Sequence, residues 1–234
     1  MGDTKLTFKR YEKKYLLSHS VFLTLFAALE DYIRPDEYFR STVCSIYYDT
    51  DDYSLIRHSI EGPVYKEKLR LRSYNVPAAD GKVFIELKKK FKGIVYKRRI
   101  SSTAAAATAY LSGKGDSPDS QVGREIDWFL KENPVIPRAF IACDRSAYVA
   151  NDNPELRITF DENLRWRDYD LDITAGDYGE LLTEPGDVLM EIKIPGAAPI
   201  WLSRLLSELG IFPTSFSKYG TCYKASLINK FFTE

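Results

Sequence analysis

The residues with the clearest chemical potential lie in YKEKLRLRSY, Tyr65 to Tyr74, where Lys66, Lys68, Arg70 and Arg72 recur at every second position. On a β-strand this spacing puts all four cations on one face, with Tyr65, Glu67, Leu69, Leu71 and Ser73 on the other. A row of four like charges repels itself, so such a face calls for an anion or for opposed carboxylates. For this stretch alone, a solvated charged surface is an equally good reading.

The pattern recurs in five more stretches. In GKVFIELKKK, Glu86, Lys88 and Lys90 share a parity against Val83, Ile85 and Leu87, and in IVYKRRI Lys97 and Arg99 fall on the parity of Val95. LRITFDENL sets Arg157, Thr159 and Asp161 against Leu156, Ile158 and Phe160, and VLMEIKI sets Glu191 and Lys193 against Val188, Met190, Ile192 and Ile194. In FKRYEKKYL, Arg10, Glu12 and Lys14 line up. Six amphipathic strands with ionic faces suggest a shared charged interior, which an antiparallel sheet closed into a barrel supplies.

Cations outnumber carboxylates on these faces, so the matching ligand is a polyanion, and guanidinium forks with ammonium groups suit a linear chain of phosphates. The parity argument gives Arg10, Lys68, Lys90, Arg99 and Lys193 as phosphate-binding candidates. The carboxylates on the same faces, Glu12, Glu86, Asp161 and Glu191, are oxygen donors of the kind Mg²⁺ or Mn²⁺ takes. Salt bridging to the neighbouring cations is the alternative for Glu12, Glu86 and Asp161.

The elements that position these residues are readable in order. A first strand over 5–16 precedes an amphipathic helix from His19 to Ile33, with Ser18 or Ser20 as cap and Pro35 as stop. A strand over Val43 to Thr50 and a short helix from Tyr53 to Ser59 lead into the basic strand. Residues 83–90 and 94–100 form a hairpin with Gly93 in its turn, and 101–123 pass from a helix start into a turn-rich stretch. A helix from Arg124 to Glu132, a strand over Val135 to Ala150 and a turn at 151–154 reach the Arg157 strand. After Leu164 the chain is acidic and irregular to about Gly186, then come the Glu191 strand, a helix from Trp201 to Leu209 stopped by Gly210, and a helical run from Tyr223 to Phe232.

The 234 residues suffice for one domain, 1–234, with a sizeable core. The 33 basic and 33 acidic residues cancel, which argues against a nucleic-acid-coating protein. Cys44, Cys143 and Cys222 are odd in number and far apart, so a cytoplasmic location is expected rather than a disulfide framework. No signal peptide and no apolar run of membrane-spanning length is read. His19 and His58 lack a nucleophile pattern, and no P-loop or G-x-G-x-x-G occurs, so side chains hold the phosphate. Tyr47, Tyr48, Tyr74 and Tyr148 are read as barrel packing.

At these residues the chain resembles the VTC domain, the cytosolic catalytic domain of vacuolar transporter chaperone polyphosphate polymerases, among the CYTH-like triphosphate tunnel metalloenzymes. The resemblance rests on KKY at 13–15, SIYYDT at 45–50, KLRLRSY at 68–74, FIELKKK at 84–90, YKRR at 96–99, DRSAY at 144–148, LRITFDENL at 156–164, LMEIKI at 189–194 and SFSKY at 215–219. It implies an α+β fold, a closed antiparallel barrel with flanking helices. In that tunnel Lys14, Arg70, Arg72, Lys88, Lys97, Arg145, Arg157, Ser217 and Lys218 contact phosphates, and Glu191 holds Mn²⁺ or Mg²⁺.

The implied activity is transfer of the γ-phosphoryl group of ATP, or another nucleoside triphosphate, to growing inorganic polyphosphate, with pyrophosphate among the expected ligands. A tunnel triphosphatase and a non-catalytic polyphosphate-binding module are the alternatives. The residues expected to carry catalysis are Lys14, Arg70, Arg72, Lys88, Arg145, Arg157, Glu191 and Lys218, acting by positioning and charge neutralisation without a covalent intermediate. Lys90 stands where eukaryotic domains of the family carry a histidine, which keeps a phosphate donor and removes a group titrating near neutrality. The family's membrane-spanning part and its regulatory N-terminal domain are not among these residues, so export is expected to fall to a separate membrane partner.

Overall fold

Period-two alternation of apolar and charged residues builds most of this protein. The computed structural model describes residues 10–92 and 94–228, apart from the side chains of Arg10 and Ser226. Its elements are β1 (Arg10–Leu17), α1 (His19–Leu29), β2 (Ile33–Asp49), α2 (Ser54–Ile60), β3 (Tyr65–Tyr74), β4 (Lys82–Phe91), β5 (Ile94–Thr103), α3 (Ala104–Leu111), α4 (Gln121–Glu132), β6 (Ile136–Ala150), β7 (Arg157–Arg167), β8 (Glu180–Leu181), β9 (Val188–Pro195), α5 (Ile200–Glu208) and α6 (Lys218–Cys222), then a π-helical turn over Tyr223–Leu227.

The strands form one large sheet in the order β1-β9-β7-β6-β2-β3-β4-β5, with β8 beside β7. The class is therefore α+β with six α-helices among the described residues. The chain divides into two compact units, and β2, β6 and β7 each contribute a stretch to both.

The first unit comprises the described residues to Ser41, Asp144–Asn163 and Thr183–Phe216. Its apolar parity, Tyr15, Leu17, Leu156, Ile158, Phe160, Val188, Met190 and Ile192, packs against Leu25 and Leu29 of α1 and Leu202 of α5. Phe22 and Phe26 meet the Phe160 ring edge-on at 5.2 and 5.7 Å. Each fully buried aliphatic side chain here contributes about 1.5–3 kcal/mol.

The second unit comprises Thr42–Cys143, Leu164–Leu182 and the described residues from Ser217. Leu69, Leu71, Val83, Ile85 and Leu87, all inaccessible, pack with Ala107 of α3 and with Ile126 and Phe129 of α4. Thr103 caps α3 by accepting from the Ala106 amide, and Ser120 caps α4 by accepting from Gly123. A further cluster on the opposite parity of β2 joins Tyr47, Tyr53, Ile56, Ile141, Tyr219 and Tyr223.

Several expectations shift. The first helix stops at Leu29, with no side-chain cap bond at Ser18. Pro35 lies inside β2, which starts ten residues before the expected Val43. The cause is tertiary: Ile33 is buried in the first unit's core, the Asn151 amide donates to Tyr32 O, and Arg34 reaches Ala150 O, so the segment is held beside the end of β6. Strand β7 runs on to Arg167, and near its end Arg165 and Trp166 pair with β8. Residues 5–9 of the expected first strand, Gly93, and the end of the expected last helix lie outside the described residues.

Candidate functional site

In the second unit the register converts alternation into rows. Lys68 stands opposite Lys88, and Lys88 opposite Lys97, so three lysines cross β3, β4 and β5 in one row. One step away, Lys66 stands opposite Lys90, and on the other side Arg70, Glu86 and Arg99 form the next row. Burial and the neighbouring Lys90 push the Lys66 ammonium below its ordinary value. Burial, with Arg99 and Arg70 nearby, also lowers Lys97, although Glu86 works against it.

Glu86, 1% exposed, is the hub of this face. Its Oε2 accepts from Arg70 Nε at 2.8 Å, and its Oε1 accepts from Arg99 Nε at 2.6 Å and lies 2.8 Å from Lys97 Nζ. Burial alone would raise its pKa, but the charges of Arg70, Arg72 and Lys97 hold it well below the usual carboxylate range. Both oxygens are engaged by cations, which is the salt-bridge alternative for this residue.

Other groups orient the arginines. Arg70 donates to Tyr47 Oη at 3.2 Å, Arg72 to Ser45 Oγ at 3.1 Å, and Arg99 to Tyr74 Oη at 3.3 Å. Burial would raise the Tyr47 phenol, yet Arg70 and Arg72 bring it down to about 8. Lys68 Nζ donates to Ser217 Oγ at 3.0 Å, at the start of α6, where Ser217 also accepts from the Gly220 amide. Lys218 follows, half-buried.

The first unit carries its own ionic face. Lys14 stands opposite Glu191, and Glu12 opposite Lys193. Lys14 Nζ lies 3.4 Å from Glu191 Oε1 and 3.8 Å from Glu12 Oε1, and donates to Phe216 O at 3.1 Å. Arg145 grips Asp161 with two bonds of 2.5 and 2.6 Å and lies 3.5 Å from Glu191 Oε2. Arg157 pairs with Asp36, and the Lys193 ammonium is lowered mainly by burial, against the pull of Glu12 and Glu191. The side chain of Arg10 lies outside the described residues.

The carboxylates differ in what they offer a cation. Asp161 is gripped by Arg145 as Glu86 is by its partners, whereas the Glu191 and Glu12 ion pairs above are longer than charge-assisted hydrogen bonds of about 2.7–2.9 Å. Among the described residues no group of three or more His, Cys, Asp or Glu converges on one point. Mg²⁺ or Mn²⁺ held by one or two carboxylates together with substrate phosphates needs no such cluster, and Glu191 and Glu12 share Lys14 as a neighbour.

Reading by parity alone omits Ser45, Tyr47, Tyr74, Asp36 and Asp49. Ser45, Tyr47 and Asp49 alternate within SIYYDT, and that alternation was the available signal. Asp36 joins Arg157 across 121 positions, which no local pattern announces.

The VTC domain family matches residues 9–227. A crystal structure of a candidate adenylate cyclase from Bacillus halodurans superposes with a TM-score of 0.56 at 14% identity, covering 88% of this chain and 92% of that one. A candidate adenylyl cyclase from Hippeastrum, described as having a dominant triphosphatase activity, gives 0.51 at 17% identity, covering 89% and 92%. At these identities the likeness is one of fold. No curated protein matches the chain. No helix among the described residues is long and apolar enough to cross a membrane.

Proposed function

Because this chain belongs to the VTC domain family, we propose that it is a metal-dependent polyphosphate polymerase, passing the γ-phosphoryl group of ATP to a growing phosphate chain. The observation that carries this reading is the row Lys68, Lys88 and Lys97. Like charges directly opposite one another destabilise a sheet, and a bound phosphate chain relieves the repulsion. The closed barrel and the single tunnel domain are part of the proposal, since closure turns the charged parity of each strand inward.

In the second unit, Arg70, Arg72, Lys88 and Lys97 bind and align phosphate oxygens, with Tyr47, Ser45 and Glu86 fixing the guanidinium groups. Lys68, Ser217 and Lys218 add donors at the start of α6. In the first unit, Lys14, Arg145 and Arg157 supply positive charge, and Glu191 with Glu12 would hold Mn²⁺ or Mg²⁺. The ion, when bound, neutralises phosphate charge developing in the transition state. In-line phosphoryl transfer needs alignment and charge stabilisation above all, and this residue set supplies both without an activated nucleophile.

A tunnel triphosphatase, which passes the same group to water, is the second reading, favoured by the described activity of the Hippeastrum protein with this fold. Purified protein incubated with ATP and Mn²⁺, its products resolved on a gel beside an assay of free phosphate, separates the readings. Long anionic polymer is expected; orthophosphate alone supports the triphosphatase, and no turnover supports a binding module. A membrane-protein partner for export and a cytoplasmic setting belong to the same proposal.

A further inference from the structure

The β7 to β9 register sets Thr159 directly across from Glu191, between Arg157 and Asp161 on the charged parity of its own strand. Thr159 is 6% exposed, and its Oγ1 is one of three buried side-chain polar atoms among the described residues that lack a hydrogen-bond partner. The other two have ordinary settings. Ser73 stands opposite Cys44, and Arg138 bonds Asp51 through another nitrogen. A buried hydroxyl without a partner is costly, so its persistence in the middle of an ionic face asks for a reason.

Glu191 supplies one. Lys14 and Arg145 approach it at 3.4 and 3.5 Å, and the proposed function shares the charge of both with phosphate. A donor directly across the ladder adds to what holds the orientation of this carboxylate, and outer partners of this kind fix metal-ligating carboxylates. Directly opposed residues on antiparallel strands have Cβ atoms about 4.5–5.5 Å apart, within reach of a threonine hydroxyl and a glutamate carboxylate. Burial also suits a supporting group better than one that touches the phosphate itself.

We propose that Thr159 is a positioning residue for Glu191: its hydroxyl donates to the Glu191 carboxylate in the phosphate-loaded protein and orients that carboxylate toward a divalent cation. The inference rests on the proposed phosphate-and-metal function.

Thr159→Val removes the hydroxyl with little change of shape, and Thr159→Ser keeps it. Three quantities test the idea: Mn²⁺ affinity of the tripolyphosphate-loaded protein from water-proton relaxation, tripolyphosphate affinity with chelator present, and the urea unfolding midpoint of the free protein. For Thr159→Val the expected results are Mn²⁺ affinity weaker by about 10- to 100-fold, unchanged chelator-treated affinity, and a midpoint unchanged or raised because an unsatisfied donor has gone. Thr159→Ser is expected to restore most of the Mn²⁺ affinity.

Unchanged Mn²⁺ affinity in Thr159→Val overturns the inference. So does a loss of metal-free tripolyphosphate binding, which would make Thr159 a direct ligand, or a lowered midpoint, which would make it structural. Wild-type protein that binds neither tripolyphosphate nor Mn²⁺ overturns the functional reading and this inference with it, whereas normal wild-type binding beside an unaffected variant overturns this inference alone.

Discussion

The Tyr219 ring lies stacked on that of Tyr47, centroids 4.8 Å apart and planes 13° from parallel. Each phenol reaches an ionisable partner: Tyr219 donates to Asp49 Oδ2 at 3.0 Å, and Tyr47 accepts from Arg70 at 3.2 Å. Asp49 also accepts from the Thr50 amide and from the amides of Leu55 and Ile56 at the start of α2. The stack thereby fixes α6, and with it Ser217 beside Lys68, to the strand that orients Arg70.

Tyr219→Ala should therefore cost about 3–5 kcal/mol, as truncation of a buried aromatic does. Tyr219→Phe keeps the stack and removes one donor from Asp49, which retains its backbone donors, so about 1–3 kcal/mol is expected. Urea denaturation of the two variants checks the order. Equal losses would mean that the hydroxyl, not the stack, holds α6.

Glu86→Gln should destabilise the protein by about 1–3 kcal/mol at neutral pH, since it removes the charge of a buried carboxylate that three part-exposed cations share. The pH dependence has a definite sign. The folded-state pKa of Glu86 is depressed, so its contribution is present above the ordinary carboxylate value of about 4.3 and is lost as pH falls below it. Denaturation curves of wild type and variant should converge in acid. A gap that stays constant would locate the stabilisation elsewhere.

Tyr47 predicts a second pH effect. With its pKa brought down to about 8, the phenol ionises beside Arg70, Arg72 and Lys218 and competes with a polyanion for their charge. Tripolyphosphate affinity should fall as pH rises through about 8, while stability against unfolding rises between there and the ordinary tyrosine value of about 10. Calorimetric titrations over this range should show both trends flattened in Tyr47→Phe.

Glu191→Gln should abolish metal-dependent turnover and leave much of the polyanion affinity, since the cations persist and one negative charge has gone. Steady-state kinetics beside direct binding measures the two effects separately. Full activity with metal still required would remove Glu191 from the mechanism.

Arg70→Ala should weaken binding and turnover together by roughly 2–4 kcal/mol. Arg157→Ala should cost less, because its side chain is 45% exposed against 18% for Arg70 and its pairing with Asp36 is accordingly screened. Isolation of a chemically competent phosphorylated protein from either assay would replace this mechanism with a covalent one.

The sequence by itself determined which residues share a face. Alternation is a local property of an extended chain, so the apolar parities of β3, β4, β7 and β9 were legible, and the ionic parities with them. The tertiary structure decided who meets whom on those faces. Glu86 gathers Arg70, Arg99 and Lys97 because β3 and β5 flank β4 in one particular register, and a slip by one residue would separate them. Asp49 meets Tyr219 across 170 positions and Arg157 meets Asp36 across 121, and no periodicity reports contacts of that range. Likewise β2 starts at Ile33 because the core and the end of β6 hold it there, against a local pattern that reads as the tail of a helix. Whether a carboxylate is gripped by arginine, like Asp161, or lies opposite an unsatisfied hydroxyl, like Glu191, depends on strand pairing and packing, which a one-dimensional charge pattern does not contain.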